Sequence, residues 1–438
     1  MNKNFFKTYS KNVLPAIITA VVLGTFSIVD GLFIGNKIGD IGLGAINYAY
    51  PITALIQSIG FGIGMGSAVL ISIARGKNDF DKIKKILFNT YILFFVVAVI
   101  LMAIFMPLAH PILNAFGAKE EDMHNVAYAY LNAILFAALP QILSQGLVPI
   151  LRNFGKNIYV MIIMSLSFVT NIFLDWLFIY PLDLGLMGAA LATNIAQTIT
   201  TLGCIIILVR KEYRPTFIFD KKLIKSSLLV GISPFGIMFV PSIVLILINK
   251  SCSIFNGDTA VAAYTAISYV TFMVTRLITG VGDGAQPLMS EYYGRGDKKN
   301  LIKTLRYSLV LAISIGLIMT LLIIIFNNPI SHIFGISDDA IVLYKESSLY
   351  FVLPFSSLAV MKIAMSYFYS QKKNMYAYII VYLEPIIVLL FVFILPIFLK
   401  TSGIWLSQTL AQTIPFIPAV ILIIKLNRNL KQDKNTMD

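Results

Sequence analysis

Gly62-Ile63-Gly64-Met65-Gly66-Ser67-Ala68-Val69-Leu70-Ile71-Ser72 returns 218 residues later as Gly280-Val281-Gly282-Asp283-Gly284-Ala285-Gln286-Pro287-Leu288-Met289-Ser290. Extended outward without a gap, 39–87 aligns with 257–305, and 13 of 49 positions are identical. They include Gly39/Gly257, Asp40/Asp258, Thr53/Thr271, Gly76/Gly294, Asp79/Asp297 and Lys85/Lys303. Glycines and matched loop charges dominate, so a shared apolar composition does not explain the match. Ala-Gln-Thr-Ile at 196–199 and again at 411–414 is a second echo. The chain is an internal duplication.

What is duplicated is a membrane unit. Of the 438 residues, 58% are hydrophobic and 13% charged, and the mean hydropathy is +0.83. A soluble domain carries about 25% charged residues, so a water-soluble enzyme is excluded. A membrane helix needs about 20 apolar residues. Twelve stretches qualify: 13–35, 46–73, 86–108, 125–150, 158–180, 184–209, 227–250, 259–289, 304–326, 340–369, 375–398 and 402–424. The expected class is an all-α integral membrane protein with twelve transmembrane helices in two six-helix lobes. The lobes are 1–209 and 227–424, joined by a linker at 210–226 and followed by a tail at 425–438. Lys3, Lys7 and Lys11 before the first apolar run resemble a signal peptide, but the run continues to Ile34 without a small-residue cleavage site. A retained first helix is expected.

The net charge of +13 is explained by its placement. The N-terminus, the tail and the loops after spans two, four, six, eight and ten hold 26 of the 34 Lys and Arg. The alternate loops hold Lys37, Lys119 and Lys400. The positive-inside rule then puts both termini in the cytoplasm of a multi-pass plasma-membrane protein. Nucleic-acid binding is not needed to explain the basic excess. Six spans per repeat is an even number, so both repeats insert in the same orientation. Such parallel repeats are one of the two usual transporter plans. The glycine pattern fits either a flexing helix or close helix packing, and packing is favoured. Cys204 and Cys252 have no metal-ligand spacing and read as small packing residues.

A charge inside a membrane span is costly, so each one retained needs a reason. Asp30 and Asp175 each lie 17 residues from the estimated start of an outward-running span, roughly 26 Å along the helix. They share a level. Asn171 faces the same way as Asp175, one turn deeper, and Thr193 on span six comes level with Asn171. Two carboxylates, an amide and a hydroxyl can converge there. Oxygen ligands suit a hard cation such as Na⁺, and paired carboxylates that share a proton suit H⁺. The competing reading has each group hydrogen-bonding a neighbouring helix. The second lobe does not copy the set: its candidates are Arg276, Asp283 and Glu384. Arg276 can pair with Asp283 or with Glu384, and a structural ion pair is the favoured reading. Lys250, Lys345 and Lys362 are expected to snorkel from span ends. Pro15 either bends the first span or sits in its first turn.

The duplicated six-span plan, Asp30-Gly31-Leu32-Phe33-Ile34-Gly35, the Gly39-Asp40 and Gly257-Asp258 loops and the Asn171…Asp175 pair resemble the multidrug and toxic compound extrusion (MATE) family, in its bacterial branch. The resemblance implies two six-helix lobes in a V and alternating access. It implies export of cationic, amphipathic drugs and dyes in exchange for H⁺ or Na⁺, with no cofactor and no enzymatic chemistry. It assigns ion coupling to Asp30, Asn171, Asp175 and Thr193, and helix bending to Pro15. Some members carry a seventh-helix carboxylate, which this chain lacks, so coupling is expected in the first lobe. The expected partners are small cationic substrates and membrane lipid, with no nucleic acid, and the protein is expected to be a monomer.

Two rivals are weighed. A lipid-linked saccharide flippase with a related duplicated plan would want a basic central cavity, and only Arg276 lies well inside a span. An intramembrane enzyme would need convergent catalytic groups. His110, His124 and His332 all fall in outer loops or at span ends, and neither His-Glu-x-x-His nor Gly-x-Ser-x-Gly occurs.

Overall fold

The computed structural model describes residues 3–116, 118, 120–210, 214–333 and 337–435. Lys119 and Lys211 lie outside them, and so do the side chains of Asp40 and Asp258. All regular structure among the described residues is helical: α1 (Lys3–Ile38), α2 (Asp40–Gly76), α3 (Phe80–Phe116), α4 (Glu121–Phe136), α5 (Ala138–Asn153), α6 (Asn157–Ile179), α7 (Gly185–Leu208), α8 (Lys221–Arg295), α9 (Lys298–Ile325), α10 (Asn327–Ile333), α11 (Asp338–Val352), α12 (Phe355–Ser370), α13 (Asn374–Phe391), α14 (Leu395–Thr413) and α15 (Phe416–Asn435).

Ten helical stretches are long and apolar enough to cross a membrane. Two bent pairs bring the number to twelve: α4 with α5, turning by 58°, and α11 with α12, turning by 45°. Spans four and ten are the broken ones, equivalent positions of the duplication. The long α8 is two spans joined at Gly257, where the backbone takes φ 70°, ψ −161°. Gly39, between α1 and α2, takes φ 71°, ψ −151°. This region is essentially closed to any residue with a Cβ. The identity of Gly39 and Gly257 therefore has a backbone cause: each makes the turn from the first to the second span of its repeat.

The chain condenses into two units, Val22–Phe239 and Met1–Val21 with Val240–Asp438. These differ from the six-helix lobes expected at 1–209 and 227–424 in α1 up to Val21 and in α8 up to Phe239. The glycines give the reason. In the Val22–Phe239 unit, a methyl added to Gly62 would sit 2.9 Å from Phe235 Cβ and 3.0 Å from the Gly231 carbonyl. In the other unit, a methyl on Gly280 would sit 2.8 Å from Ala20 Cβ and 3.1 Å from Ile17 Cα. Without side chains at these positions, the start of span seven lies flush on α2 and the start of α1 lies flush on span eight. The glycine stripe is a packing surface, as favoured from sequence. The repeat also shows at the opposite faces of the same helices. Ser72 donates to the Asn153 carbonyl at 3.3 Å and to its side-chain oxygen at 2.7 Å, and Ser290 donates to the Ser370 carbonyl at 3.1 Å.

The first helix begins earlier than expected. Its apolar span starts near residue 13, but α1 is already formed at Lys3. Phe5 and Tyr9, four residues apart, are buried while Lys7 and Lys11 face out. The Tyr9 hydroxyl shares a 3.0 Å hydrogen bond with Ser308, and Lys303 lies 4.1 Å above the Phe5 ring. Packing lengthens the helix where hydropathy alone would stop it. Cys204 and Cys252 are free and buried, as expected of packing residues.

Candidate functional site

Asp30 comes from α1 and Asp175 from α6, both inside the Val22–Phe239 unit. Asp175 and Asn171 are one turn apart on the buried stripe of α6, at 0% and 1% exposure. Asp30 is half-buried, with its Oδ1 enclosed. The two carboxyl groups face one another closely enough to act on each other electrostatically. Asp30 Oδ1, both carboxylate oxygens of Asp175 and the Asn171 amide nitrogen have no hydrogen-bond partner among the described residues. Among the described residues, no ion pair forms with either aspartate. Buried carboxylates are costly unless paired. Two of them face to face need a proton between them or a cation bridging them. The donor set, all oxygen with an amide beside it, fits either.

The register of α6 on α7 is fixed by Ser167, whose hydroxyl donates to the Ala196 carbonyl at 2.6 Å. Four residues on along α6 and three back along α7, Asn171 and Thr193 come level. Thr193 is buried, at 8% exposure, but makes no side-chain hydrogen bond to the aspartates. The structure therefore brings Asp30, Asp175 and Asn171 into one place and puts Thr193 alongside them.

Tyr130 on α4 was not singled out from sequence. It is buried, and its hydroxyl stands in the field of both Asp30 and Asp175. One tyrosine among 21 carries no sequence signal. Only the burial of α4 against α2 and α7 selects it. A polar ladder stands beside the site. Gln141 on α5 donates to the side-chain oxygen of Asn194 on α7 at 3.1 Å, and Asn194 donates to the Ala133 carbonyl at 2.8 Å. Gln197 accepts from Ser144 at 2.5 Å. These bonds fix α7 against α4 and α5.

Pro15 lies well inside α1, twelve residues from its first residue, so the first-turn alternative does not hold. Its carbonyl accepts from the Thr19 hydroxyl at 2.7 Å.

In the second repeat the partner of Glu384 is Lys362, not Arg276. Lys362 Nζ and Glu384 Oε2 are 4.0 Å apart, with side chains 5% and 8% exposed. The expectation that Lys362 snorkels from a span end is corrected too. Every residue of α12 from Leu358 to Ser370 is buried, leaving no path along which its ammonium could reach water. Arg276 instead lies over the Phe272 ring, 4.7 Å from its centroid. Arg276 and Asp283 each have further interactions of their own. His110, His124 and His332 lie on α3, α4 and α10, and the first two share a 2.8 Å hydrogen bond. No group of three His, Cys, Asp or Glu side chains able to hold a metal ion occurs among the described residues.

Comparison with known proteins agrees with this architecture. The chain is 26% identical over 448 residues to the multidrug export protein MepA of Staphylococcus saprophyticus, covering 98% of this chain and 96% of that one. It is 24% identical over 352 residues to the probable multidrug resistance protein NorM of Thermotoga maritima, covering 77% and 73%. It is 25% identical over 353 residues to an FAD transporter of Shewanella oneidensis, covering 78% and 76%. Among solved structures, a MATE protein in complex with MaL6 superposes with a TM-score of 0.90 at 21% identity, covering 97% of each chain. A MOP superfamily transporter from Pyrococcus furiosus gives 0.91 at 20% identity, covering 97% and 96%. These likenesses establish the fold: twelve transmembrane helices in two six-helix lobes. The MatE family model matches residues 15–177 and 235–394, one stretch in each repeat, and the chain belongs to the MatE family of membrane transporters.

Proposed function

We propose that this protein is a secondary active multidrug efflux antiporter of the plasma membrane, with both termini in the cytoplasm. It exports cationic amphipathic compounds in exchange for H⁺ or Na⁺ by alternating access. The names of its relatives, a multidrug export protein and a multidrug resistance protein, support the substrate class. The observation that carries the coupling is the Asp30–Asp175 pair, Asp175 buried and Asp30 half-buried, with three enclosed carboxylate oxygens unpartnered.

Facing outward, the pair takes up a cation and the drug leaves. Facing inward, the cation is released and a cationic drug enters. One charge crossing 100 mV supplies about 2.3 kcal/mol, and a tenfold gradient about 1.4 kcal/mol more. Two such cations entering for one monovalent cationic drug leaving move one net charge, supply about 5 kcal/mol in all, and can sustain a drug gradient of roughly several thousandfold. The test is dye transport by the purified protein in vesicles, with Na⁺ and H⁺ gradients imposed separately. Efflux driven by either one is expected, and efflux driven by neither overturns the reading. The FAD transporter among the relatives favours a second reading, an anionic flavin nucleotide as cargo. The same vesicles loaded with FAD separate the two.

A further inference from the structure

A cleft of about 550 Å³ opens on the flank of the Val22–Phe239 unit, between α3, α5 and α7. Its volume is within the ~300–1,000 Å³ of small-molecule sites. Its walls are apolar, from Phe95 on α3, Leu143 and Leu147 on α5, and Ile205 and Val209 at the end of α7. Phe95 and Val209 are 58% and 61% exposed. They lie in or beside membrane-spanning segments, so the medium they face is lipid. Among the described residues, the one charged group lining the cleft is Arg214, whose side chain is exposed.

Arg214 is not on a loose loop. The strap that follows it is tied to α3 by Asn89, which is 2% exposed. Asn89 donates from Nδ2 to the Ile218 carbonyl at 2.9 Å and accepts from the Asp220 backbone N–H at 2.9 Å. Phe217 packs edge-on against Phe88, with ring centroids 5.2 Å apart. The Thr216 N–H donates to the Lys84 carbonyl at 3.4 Å, which brings the strap alongside Lys84 and Lys85. An exposed guanidinium therefore stands at the mouth of an apolar cleft, two residues before a tethered strap, on the basic end of the bundle.

We propose that this cleft is a binding site for one anionic phospholipid of the leaflet on that side. An acyl chain fills the cleft and the headgroup phosphate sits on Arg214. An unfilled cleft loses dispersion contacts along its walls, and an acyl chain restores them. A guanidinium matches phosphate oxygens in bidentate geometry, and basic pockets between membrane helices select anionic headgroups. Both lipid classes carry that phosphate, but the basic surroundings of Arg214, Lys84 and Lys85 repel a choline ammonium, so net charge commits the site to an anionic lipid rather than a zwitterionic one.

The test is native mass spectrometry of the full-length protein released from micelles containing equal amounts of phosphatidylglycerol and phosphatidylcholine of matched chains. Preferential retention of one phosphatidylglycerol is expected. Arg214→Gln is expected to lower that retention about tenfold, the scale of one lost charge-assisted contact, and to erase the preference. Leu143→Trp, which fills the cleft, is expected to reduce retention of both lipids. Arg214 is exposed, so its substitution keeps the fold if the cleft variant does not. Equal retention of the two lipids by the unsubstituted protein, or a preference that survives Arg214→Gln, overturns the proposal. Displacement of the bound lipid by a cationic dye at one-to-one stoichiometry also overturns it, since the cleft would then belong to the substrate.

Discussion

Lys362 and Glu384 hold opposite charges 4.0 Å apart inside the second repeat, each almost wholly enclosed. In the first repeat, Asp30 and Asp175 face each other, and among the described residues no cationic side chain forms an ion pair with either. The second repeat carries its counter-charge tethered to α12. In the proposed antiport, the first takes its own from solution, as a proton or as a metal cation. This difference is the physical reason to place ion coupling in the first repeat.

Removing one partner of a buried ion pair strands the other, at a cost of about 3–5 kcal/mol. Lys362→Met is therefore expected to lower the thermal midpoint of the detergent-solubilised protein sharply. Lys362→Met combined with Glu384→Gln is expected to recover much of the loss, because no bare charge remains. A double variant as unstable as the single one would mean that the pair is not what holds this region.

Asp30→Asn and Asp175→Asn each leave one carboxylate without its counterpart. Each is expected to cut gradient-driven dye efflux by about tenfold or more, equivalent to about 1.4 kcal/mol of lost coupling. Dye binding to the de-energised protein is expected to persist. Vesicle transport and equilibrium dye binding, measured on the same preparations, check both halves. Unchanged transport in Asp30→Asn would remove the coupling role while leaving the family membership intact.

Tyr130→Phe deletes one hydroxyl from the surroundings of both aspartates. The expected effect is smaller: a weaker dependence of efflux on the driving ion, by a few-fold, on the scale of one hydrogen bond. Titrating efflux against Na⁺ and, separately, against pH would show which ion the hydroxyl serves. No change in either titration would make Tyr130 a packing residue.

Gly284→Ala places a methyl 2.6 Å from Val13 Cα and 2.9 Å from the Asn12 carbonyl. Overpacking of this kind costs about 1–3 kcal/mol. Gly39→Ala meets nothing within 4 Å, yet it is expected to cost a similar ~1–3 kcal/mol because of its φ of +71°. The two losses arise differently. The two closest atoms to the Gly284 methyl are backbone, so Val13→Ala, which trims only a side chain, should rescue neither variant in thermal melts.

Much of the fold was legible because each span is a long local signal. Twenty apolar residues in a row announce a membrane helix whatever packs on it, and the repeated glycines announced the duplication. The bends in spans four and ten were not legible. They fall at Ala137 and near Pro354, inside continuous apolar runs, where hydropathy has no contrast to offer. Asp30, Asn171 and Asp175 could be named because polar groups in apolar spans are rare. Tyr130 could not be, because an aromatic ring with one hydroxyl fits a membrane helix without comment. Lys362 was misplaced because its distance from a span end suggested an escape to water, and the sequence does not say what surrounds it.

The sequence by itself determined the class, the twelve spans, the parallel repeat and the glycines that turn and pack the chain, because these follow from local hydropathy and backbone sterics. The tertiary structure decided which charges meet. It set Asp30 against Asp175 with no described cationic side chain paired to them, paired Glu384 with Lys362, and tied the 214–220 strap to α3 through Asn89. Those are contacts between helices far apart in the chain. Coulomb attraction, desolvation and hydrogen bonding act through the distance across the fold, which no spacing along the sequence encodes.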